Sequence, residues 1–146
     1  MNHTGLVELP RITMYAVTDI QYMLQGLSAT VVIPSGADLW DTSQVANITY
    51  VIAYSRIEEV PAWDLRAVTY AFGAFRDAYG LKRMQAFGLT VSAHMTNGLL
   101  SAEALNEVFT NLGTARNGAT ITITGNPGTA TCDRTIATAK GWTVAA

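Results

Sequence analysis

The side chains that could perform catalysis or hold a metal ion are few in this chain and far apart. His3 and His94 lie near opposite ends of the first two thirds of the chain, and neither has a metal-ligating residue at a close spacing. A nucleophilic set of Cys132, Asp133 and His94 can be written down, but no local motif supports it. We interpret Cys132 as a buried structural thiol. We therefore expect no enzymatic activity, no cofactor and no metal ion.

Three aspartates lie beside tryptophans. Asp38 and Asp41 flank Leu39-Trp40, and Asp64 follows Trp63. Paired acids could bind calcium, but the spacing of an EF-hand loop is absent. Aspartate also favours turns, because its carboxylate accepts a hydrogen bond from the backbone two residues further on. We predict that these aspartates form turns at the junctions of repeating units.

Aromatic and arginine side chains carry the stronger functional signal. Trp40 and Trp63 occupy corresponding places in successive repeats, and four tyrosines lie between positions 50 and 79. Exposed aromatic rings are common anchors of protein interfaces, and arginines are common around them. Alternatively, the rings pack as ladders along a stack of repeats, and the sequence leaves both interpretations open. The candidate interface residues are Trp40, Trp63, Tyr54, Tyr70, Arg56 and Arg66.

A repeating pattern underlies this spacing. Four short segments carry an apolar residue, two variable residues and a second apolar residue, often followed by proline, and they recur at intervals of roughly two dozen residues. These segments are Leu6–Pro10, Thr30–Pro34, Ile57–Pro61 and Leu81–Met84. The phrase that begins at Asp41 recurs at Asp64, after a similar interval. We predict one short strand and one return segment in each unit, although a chance coincidence of the short pattern remains the alternative.

The return segments carry apolar residues at a helical or 3₁₀-like spacing. A unit of about two dozen residues cannot bury such a face alone, so we expect the units to stack around one core. The three predicted sets are Val17, Ile20, Met23 and Leu24; Val45, Ile48, Val51 and Ile52; and Val68, Ala71, Phe72 and Phe75.

The last third of the chain predicts a closing unit. Ser101 is a candidate N-cap, Leu100 and Leu105 are placed as a hydrophobic staple, and Gly113 is the predicted stop of the helix. The expected buried helix face is Leu105, Val108, Phe109 and Leu112. Further elements follow in order: a turn at Asn117-Gly118, a strand over 120–124, a break over 125–128, a short helix from Asp133 to Ala139 and a strand over 142–144.

Composition excludes several classes of function. The chain has 146 residues, enough for one domain, and only 14% of them are charged, with a formal net charge of −2. Its nine lysines and arginines are scattered, which disfavours nucleic-acid binding, and a single cysteine excludes an internal disulfide. We expect no membrane span and no secretory signal. So few charges suit a surface that other proteins partly cover.

Two regions resemble known families. The pairing of DTSQVANITYVI with DLRAVTYAFGAF is similar to the BspA-like leucine-rich repeats of bacterial surface proteins, although the phenylalanine expected in that pattern is Ile52 in one copy and Phe75 in the other. Residues 100–144 resemble the closing module of many bacteriophage virion proteins and some bacterial surface proteins. The resemblance implies a leucine-rich-repeat fold and an interaction role, and it implies no catalytic residue.

We therefore expect an α/β leucine-rich-repeat solenoid with short parallel strands, short helical or irregular return segments and a helix-containing C-terminal cap. The single domain, 1–146, would comprise an N-terminal arm or cap (1–15), repeats (16–90) and a capping unit (91–146). The expected role is that of a phage minor capsid or decoration protein, located on the capsid surface. Its partner would be the major capsid protein or another virion protein, with no nucleic acid and no membrane, and self-association is left open. The alternative is a tail-associated or surface receptor-binding adhesin module.

Overall fold

All strands of the described residues are short, and they pair in parallel. The computed structural model describes residues 7–28, 31–36 and 40–146. The strands within these residues are β1 (Val7–Glu8), β2 (Val31–Val32), β3 (Glu59–Val60), β4 (Arg83–Met84), β5 (Ala93–His94), β6 (Thr120–Thr122) and β7 (Thr143–Ala145). They form three small sheets with the orders β1-β2, β3-β4 and β5-β6-β7. Parallel neighbours require the chain to cross back between them, so a return segment lies between two paired strands.

The register of the strands follows the spacing in the sequence. Val7 pairs with Val31 and Glu59 pairs with Arg83, so both pairs join equivalent positions of successive units. The prediction that these short segments lie side by side is confirmed for β1 with β2 and for β3 with β4. In the described part of the chain, β2 and β3 are not paired with each other. A pocket of about 210 Å³, lined by residues of both strands, lies at this break.

The return segments pair with one another as well. The N–H of Tyr22 donates to the carbonyl of Thr49 at 2.9 Å, and the N–H of Tyr50 donates to the carbonyl of Phe72 at 3.1 Å. The same relation recurs at alternate residues, from Ile20 to Asn47, from Leu24 to Val51, from Ile52 to Ala74 and from Tyr54 to Arg76. A second ladder of backbone hydrogen bonds therefore joins successive units.

This second ladder corrects the expectation of helical return segments. Among the described residues of 16–90 no α-helix is formed. Tyr22, Tyr50 and Gly73 have φ angles of 59°, 51° and 61°, and such left-handed residues interrupt a right-handed helix. Tandem turns bury residues at the same i, i+3, i+4 spacing as a helix, so the sequence pattern fits both. The irregular alternative, which the prediction also included, describes these segments.

The core consists mainly of the apolar residues that the repeat predicts. Val45, Ile48, Val51 and Ile52 are completely buried. Two predicted core residues are exposed instead: 58% of Phe72 and 38% of Met23 remain accessible. Phe72 falls outside the buried i, i+3, i+4 series of Ala71, Ala74 and Phe75 in its own segment. Met23 lies in the first return segment, whose inter-unit hydrogen bonds run to partners within residues 46–56 among the described residues.

The closing unit is built around helix α1 (Ala102–Asn111). Ser101 caps it, because its side-chain oxygen accepts a hydrogen bond from the N–H of Ala104 at 3.1 Å. Leu105, Val108 and Phe109 of the helix are buried, as the sequence predicts. Behind its last turn, the Lys140 ammonium donates to the carbonyls of Phe109 and Leu112, which satisfies acceptors that every helix end leaves free.

The break that the sequence predicts over 125–128 contains a buried asparagine. Asn126 is 6% exposed, and its Nδ2 donates to the carbonyls of Met95 and Ile123 at 2.7 and 2.9 Å. The second helix, α2 (Thr135–Thr138), is shorter than predicted and follows Asp133, whose carboxylate accepts from the N–H of Thr135. Neither helix of the described residues is long and apolar enough to cross a membrane.

Candidate interaction surface

The structure places Trp40 and Trp63 in the core, so the interpretation of these two rings as exposed anchors is wrong. Trp40 is 2% exposed and Trp63 is fully buried. The rings stack on each other with centroids 6.2 Å apart and planes 15° apart, and Trp40 Nε1 donates to the carbonyl of Pro10. The two tryptophans occupy equivalent positions of two successive units, so their rings lie side by side and fill the interior. The alternative interpretation, packing along the stack, describes both residues.

The other four candidate residues are exposed. Tyr54 is 39% exposed and Tyr70 is 68% exposed. Arg56 and Arg66 are also exposed. Arg66 is held in place, because its guanidinium donates to Asp64 at 2.7 Å and lies 5.8 Å from the centroid of the Phe87 ring. Hydrogen bonding from Arg66 lowers the pKa of the Asp64 carboxyl.

The aspartates beside the tryptophans form turns. The carboxylate of Asp41 accepts from the hydroxyl and the N–H of Ser43, which lowers the pKa of Asp41, and Asp64 accepts from the N–H of Arg66. The turn prediction is confirmed at Asp41 and Asp64, whereas Asp38 lies outside the described residues. Within the described ranges, no three metal-ligating side chains come together.

A row of exposed and half-buried rings crosses the return segments. The aromatic stack, as we call it, consists of Tyr22, Tyr50, Tyr54, Phe72 and His94. The rings of Tyr22 and Tyr50 are 5.6 Å apart and parallel within 11°, and Tyr54 stacks on Tyr50 at 6.4 Å. Phe72 meets Tyr50 edge-on at 5.6 Å, and His94 of β5 meets Phe72 edge-on at 5.4 Å. The row therefore spans four successive passes of the chain.

Three tyrosines of the aromatic stack have an uncommon backbone conformation. Tyr22, Tyr50 and Tyr54 have φ angles of 59°, 51° and 58°. The left-handed region is unfavourable for a bulky residue by roughly 1–2 kcal/mol, because Cβ approaches the following carbonyl. The inter-unit hydrogen bonds of the return segments hold the backbone there. Strained residues that cluster on a surface point to a function that stability alone does not explain.

Gly73 makes room for the stack. A Cβ atom added at Gly73 would lie 2.5 Å from Cε1 of Tyr50, so only glycine lets the Tyr50 ring lie against the next return segment. Gly73 is left-handed like Tyr50, its equivalent in the preceding unit, and Asp77 is left-handed like Tyr54. At both positions, a tyrosine in one unit is followed in the next unit by a residue without a ring.

A polar cluster adjoins the stack at Tyr54. The N–H of Tyr54 donates to the carbonyl of Arg76, and the next residue, Asp77, accepts hydrogen bonds from Asn97 Nδ2 at 2.6 Å and from the Thr96 hydroxyl at 3.3 Å. Nε of Arg76 lies 3.7 Å from the Asp77 carboxylate. The polar cluster is therefore joined to the segment that carries Tyr54 by a backbone hydrogen bond.

The residues that could have formed a nucleophilic set do not form one. Cys132 is half-buried, and its thiol lies 3.6 Å from the carbonyl of Thr129. His94 contacts Phe72 instead, and its Nδ1 is buried without a hydrogen-bond partner among the described residues. His3 lies outside the described residues.

The strands carry a second surface of different chemistry. The charged strand ladder, as we call it, consists of Glu58, Glu59, Lys82, Arg83 and Glu107. Lys82 pairs with Glu58 at 3.1 Å, and Arg83 lies 3.8 Å from Glu59. Arg83 also makes two hydrogen bonds to Glu107 of α1, at 3.0 and 3.1 Å, and these raise the pKa of the guanidinium.

Sequence reasoning identified only one member of the aromatic stack as an interface candidate, Tyr54. Tyr22, Phe72 and His94 were missed because one unit alone shows no ring contact. An alignment of the units contains a signal for the left-handed positions. Tyr50 and Tyr54 align with Gly73 and Asp77 of the next unit, and glycine and aspartate tolerate the left-handed region. A comparison of the chain with protein-family models, curated proteins and solved structures finds no match. We therefore infer the role of the surface from its geometry.

Proposed function

We propose that the chain is a non-enzymatic structural protein of a bacteriophage virion, a small decoration or minor capsid protein that binds the capsid shell. The observation that carries this proposal is the aromatic stack, in which Tyr22, Tyr54 and Phe72 are 51%, 39% and 58% exposed. Aromatic side chains supply much of the binding energy of protein interfaces. The resemblance of residues 100–144 to a closing module of virion proteins supplies the context.

The fold that we propose for this role is a leucine-rich-repeat solenoid. It is supported by the similar offset between paired residues along the chain. Val7 pairs with Val31, Asp19 with Asn47, and Asn47 with Tyr70. Each pairing joins segments that are roughly two dozen residues apart, as a stack of repeats requires. Units that pair in this way each contact their neighbours, and a closing unit with a capped helix ends the stack.

The stack suits docking because its rings are already positioned. A tyrosine or phenylalanine has two χ angles, so fixing it in an interface loses little conformational freedom. The contacts between Tyr22, Tyr50 and Phe72 restrict the rings further before any partner binds. A specific interface of standard size buries about 800 Å² on each partner. Many copies on one shell would add their contributions through avidity.

The second candidate function is a receptor-binding adhesin associated with a tail or a cell surface. The polar cluster at Asp77 favours it, because Asn97 and Thr96 hydrogen-bond to Asp77, which follows the residue whose carbonyl accepts from the N–H of Tyr54. Aromatic surfaces with a few well-placed polar groups are typical of small-ligand sites. Copy number separates the two functions, since a decoration protein occurs many times on the shell and a tail adhesin only a few times.

Co-sedimentation with purified phage particles tests the proposal. Particles assembled from the genome that encodes this chain, but without the chain, are mixed with the wild type and with the double variant Tyr22→Ala/Phe72→Ala. We expect the wild type to bind tail-less capsids in many copies. The variant should lose at least tenfold in affinity, because truncation of an interface anchor typically costs about 2 kcal/mol or more.

The matched control is Tyr79→Ala, which removes a ring that is 44% exposed and lies outside the stack. Its binding and melting temperature should equal those of the wild type. Absence of binding to capsids would refute the capsid role, and binding in a few copies to tailed particles only would establish the adhesin alternative instead. Equal binding by the double variant would exclude the aromatic stack as the docking surface.

A further inference from the structure

The sequence contains two Asn-Gly pairs, and they differ in how firmly the fold holds them. One is Asn97-Gly98, in the polar cluster at Asp77, and the other is Asn117-Gly118, in the bend before β6. Asparagine loses its side-chain amide most readily before glycine, because glycine has no side chain to keep its backbone nitrogen away from the amide carbon. A larger residue or a proline follows each of the other described asparagines, which are Asn47, Asn106, Asn111 and Asn126.

The side-chain amide of Asn97 is fixed on both sides. Its Nδ2 donates to the Asp77 carboxylate at 2.6 Å, and a Cβ atom added at Gly125 would collide with its Oδ1. The N–H of Asn97 also donates to the carbonyl of Thr124 at 2.9 Å, and the following residue, Gly98, is buried. Turning the amide carbon toward the Gly98 nitrogen would therefore break the hydrogen bond to Asp77.

The second pair has no such restraint. Asn117 and Gly118 are exposed, and within the described residues neither the Asn117 side chain nor the Gly118 N–H makes a hydrogen bond. A Cβ atom added at Gly118 would meet nothing within 4 Å. Both residues are left-handed, with φ angles of 55° and 67°, the combination that Asn-Gly adopts in tight turns. The Asn117 side chain is therefore free to reach the nitrogen of Gly118.

We propose that Asn117 is a site of spontaneous modification, where asparagine converts to isoaspartate and aspartate, and that the fold protects Asn97 from the same change. The observation that carries this inference is the contrast between two identical dipeptides in one chain. It goes beyond the proposed function and does not depend on it.

The reaction needs no co-reactant except water. The backbone nitrogen of Gly118 attacks Cγ of Asn117, and the new N–C bond closes a succinimide ring. The bond between Cγ and Nδ2 breaks, the Gly118 nitrogen gives up its proton, and Nδ2 leaves as ammonia. Water then adds to one of the two ring carbonyls and opens the ring, which yields isoaspartate or aspartate according to the carbonyl attacked.

The modification changes both the charge and the length of the main chain ahead of β6. It adds one negative charge to a formal net charge of −2, and isoaspartate also inserts one extra carbon into the backbone. The N–H of Arg116 donates to the carbonyl of Thr90 at 2.8 Å, and the N–H of Thr120 donates to the hydroxyl of Ser92 at 2.9 Å. These two hydrogen bonds confine the extra carbon to residues 117–119.

Peptide mass spectrometry of the purified chain, kept at mildly alkaline pH, tests this inference. In the native wild type, position 117 should convert roughly tenfold or more faster than position 97, because the Asn97 amide must first give up a hydrogen bond to a charged carboxylate. Chromatography separates the two products, and isoaspartate should be among them. The same chain in guanidinium chloride is the control for sequence, and there both positions should convert at similar rates.

Two variants separate the contributions of the fold. Asp77→Gly removes the acceptor of the Asn97 amide and suits the left-handed φ of 50° at this position, so conversion at position 97 should accelerate while position 117 stays unchanged. Gly118→Ala is the matched change at the other pair, and its methyl group should slow conversion at position 117 alone. Circular dichroism checks that each variant is folded, and the comparison of native with denatured wild type depends on neither variant.

Equal rates at the two positions of the native chain would overturn the inference. A native rate at position 117 that falls as far below the denatured rate as that of position 97 would overturn it as well. A product without isoaspartate would exclude the ring intermediate. An unchanged rate at position 97 in folded Asp77→Gly would exclude the hydrogen bond to Asp77 as the source of protection.

Discussion

The charged strand ladder and the aromatic stack are built by the same device from different chemistry. In both, residues from equal positions of successive passes meet, such as Glu59 with Arg83 on the strands and Tyr22 with Tyr50 on the return segments. On the strands the sign of the charge alternates, and the pairs are open to water. On the return segments, aromatic rings contact other aromatic rings. The register thus decides which residues meet, and the residue type decides what the contact contributes.

The two regions also differ in backbone strain. The residues of the charged strand ladder have ordinary φ angles, whereas three tyrosines of the aromatic stack are left-handed. Exposed ion pairs stabilise little and are screened by salt, so they explain solubility better than stability. Rings that are kept exposed at a cost in strain are better explained by binding. This difference supports the proposal that docking uses the return segments.

The largest loss of stability is expected from a substitution in the core, and not from one in the charged strand ladder or the aromatic stack. Trp63→Ala removes a fully buried ring that stacks on Trp40, and truncations of this kind cost ~3–5 kcal/mol. Thermal unfolding followed by circular dichroism should show a large drop in melting temperature, or no folded state. The control Tyr70→Ala, at a 68% exposed ring, should change stability little. Loss of particle binding by Trp63→Ala with an unchanged melting temperature would restore the interface interpretation of this residue.

An intermediate loss of stability is expected at Gly73, where the Tyr50 ring of the aromatic stack lies against the backbone. Gly73→Ala places a Cβ atom 2.5 Å from the Tyr50 ring and also has a left-handed backbone, so it should lower the free energy of unfolding by roughly 1–3 kcal/mol. Near-ultraviolet circular dichroism should change because the Tyr50 ring must move. Gly26→Ala is the matched control, with φ of 71° and nothing within 4 Å of the added Cβ. Its tyrosine signal should stay that of the wild type, and equal spectra for both variants would refute the spacing role of Gly73.

The smallest effect is expected on the charged strand ladder. Arg83→Ala removes the paired hydrogen bonds to Glu107 and the contact with Glu59, yet exposed ion pairs contribute little. The midpoint of urea unfolding should fall slightly at low salt and match the wild type at high salt. A double-mutant cycle with Glu107→Ala isolates the pair. A loss of stability as large as that of Gly73→Ala would contradict the contrast between the charged strand ladder and the aromatic stack.

Local signals account for what the sequence predicts correctly. The N-cap at Ser101, the buried face of α1 and the turns at Asp41 and Asp64 each depend on residues close in sequence. The pairing of β3 with β4 is predicted because the same short apolar pattern returns at a regular interval. In these cases the residues that carry the signal are also the residues that make the contact.

The misses arise where hydrogen bonds run between units. The spacing of Ile48, Val51 and Ile52 fits a helix and tandem turns equally well, and the choice depends on carbonyls of the neighbouring unit, such as that of Phe72 for Tyr50. The burial of Trp40 and Trp63 depends in the same way on a partner in another unit. No local rule places tyrosine in the left-handed region, so the aromatic stack could only emerge once the units were superposed in space.

The interruption between β2 and β3 divides the strand side into two blocks. In the described residues, the second unit is joined to the third by the backbone hydrogen bonds of the return segments and by the Trp40–Trp63 contact, without strand pairing. A chain of nearest-neighbour contacts separates first at its weakest junction. We therefore expect the first two units to separate from the remainder before the C-terminal part of the chain unfolds.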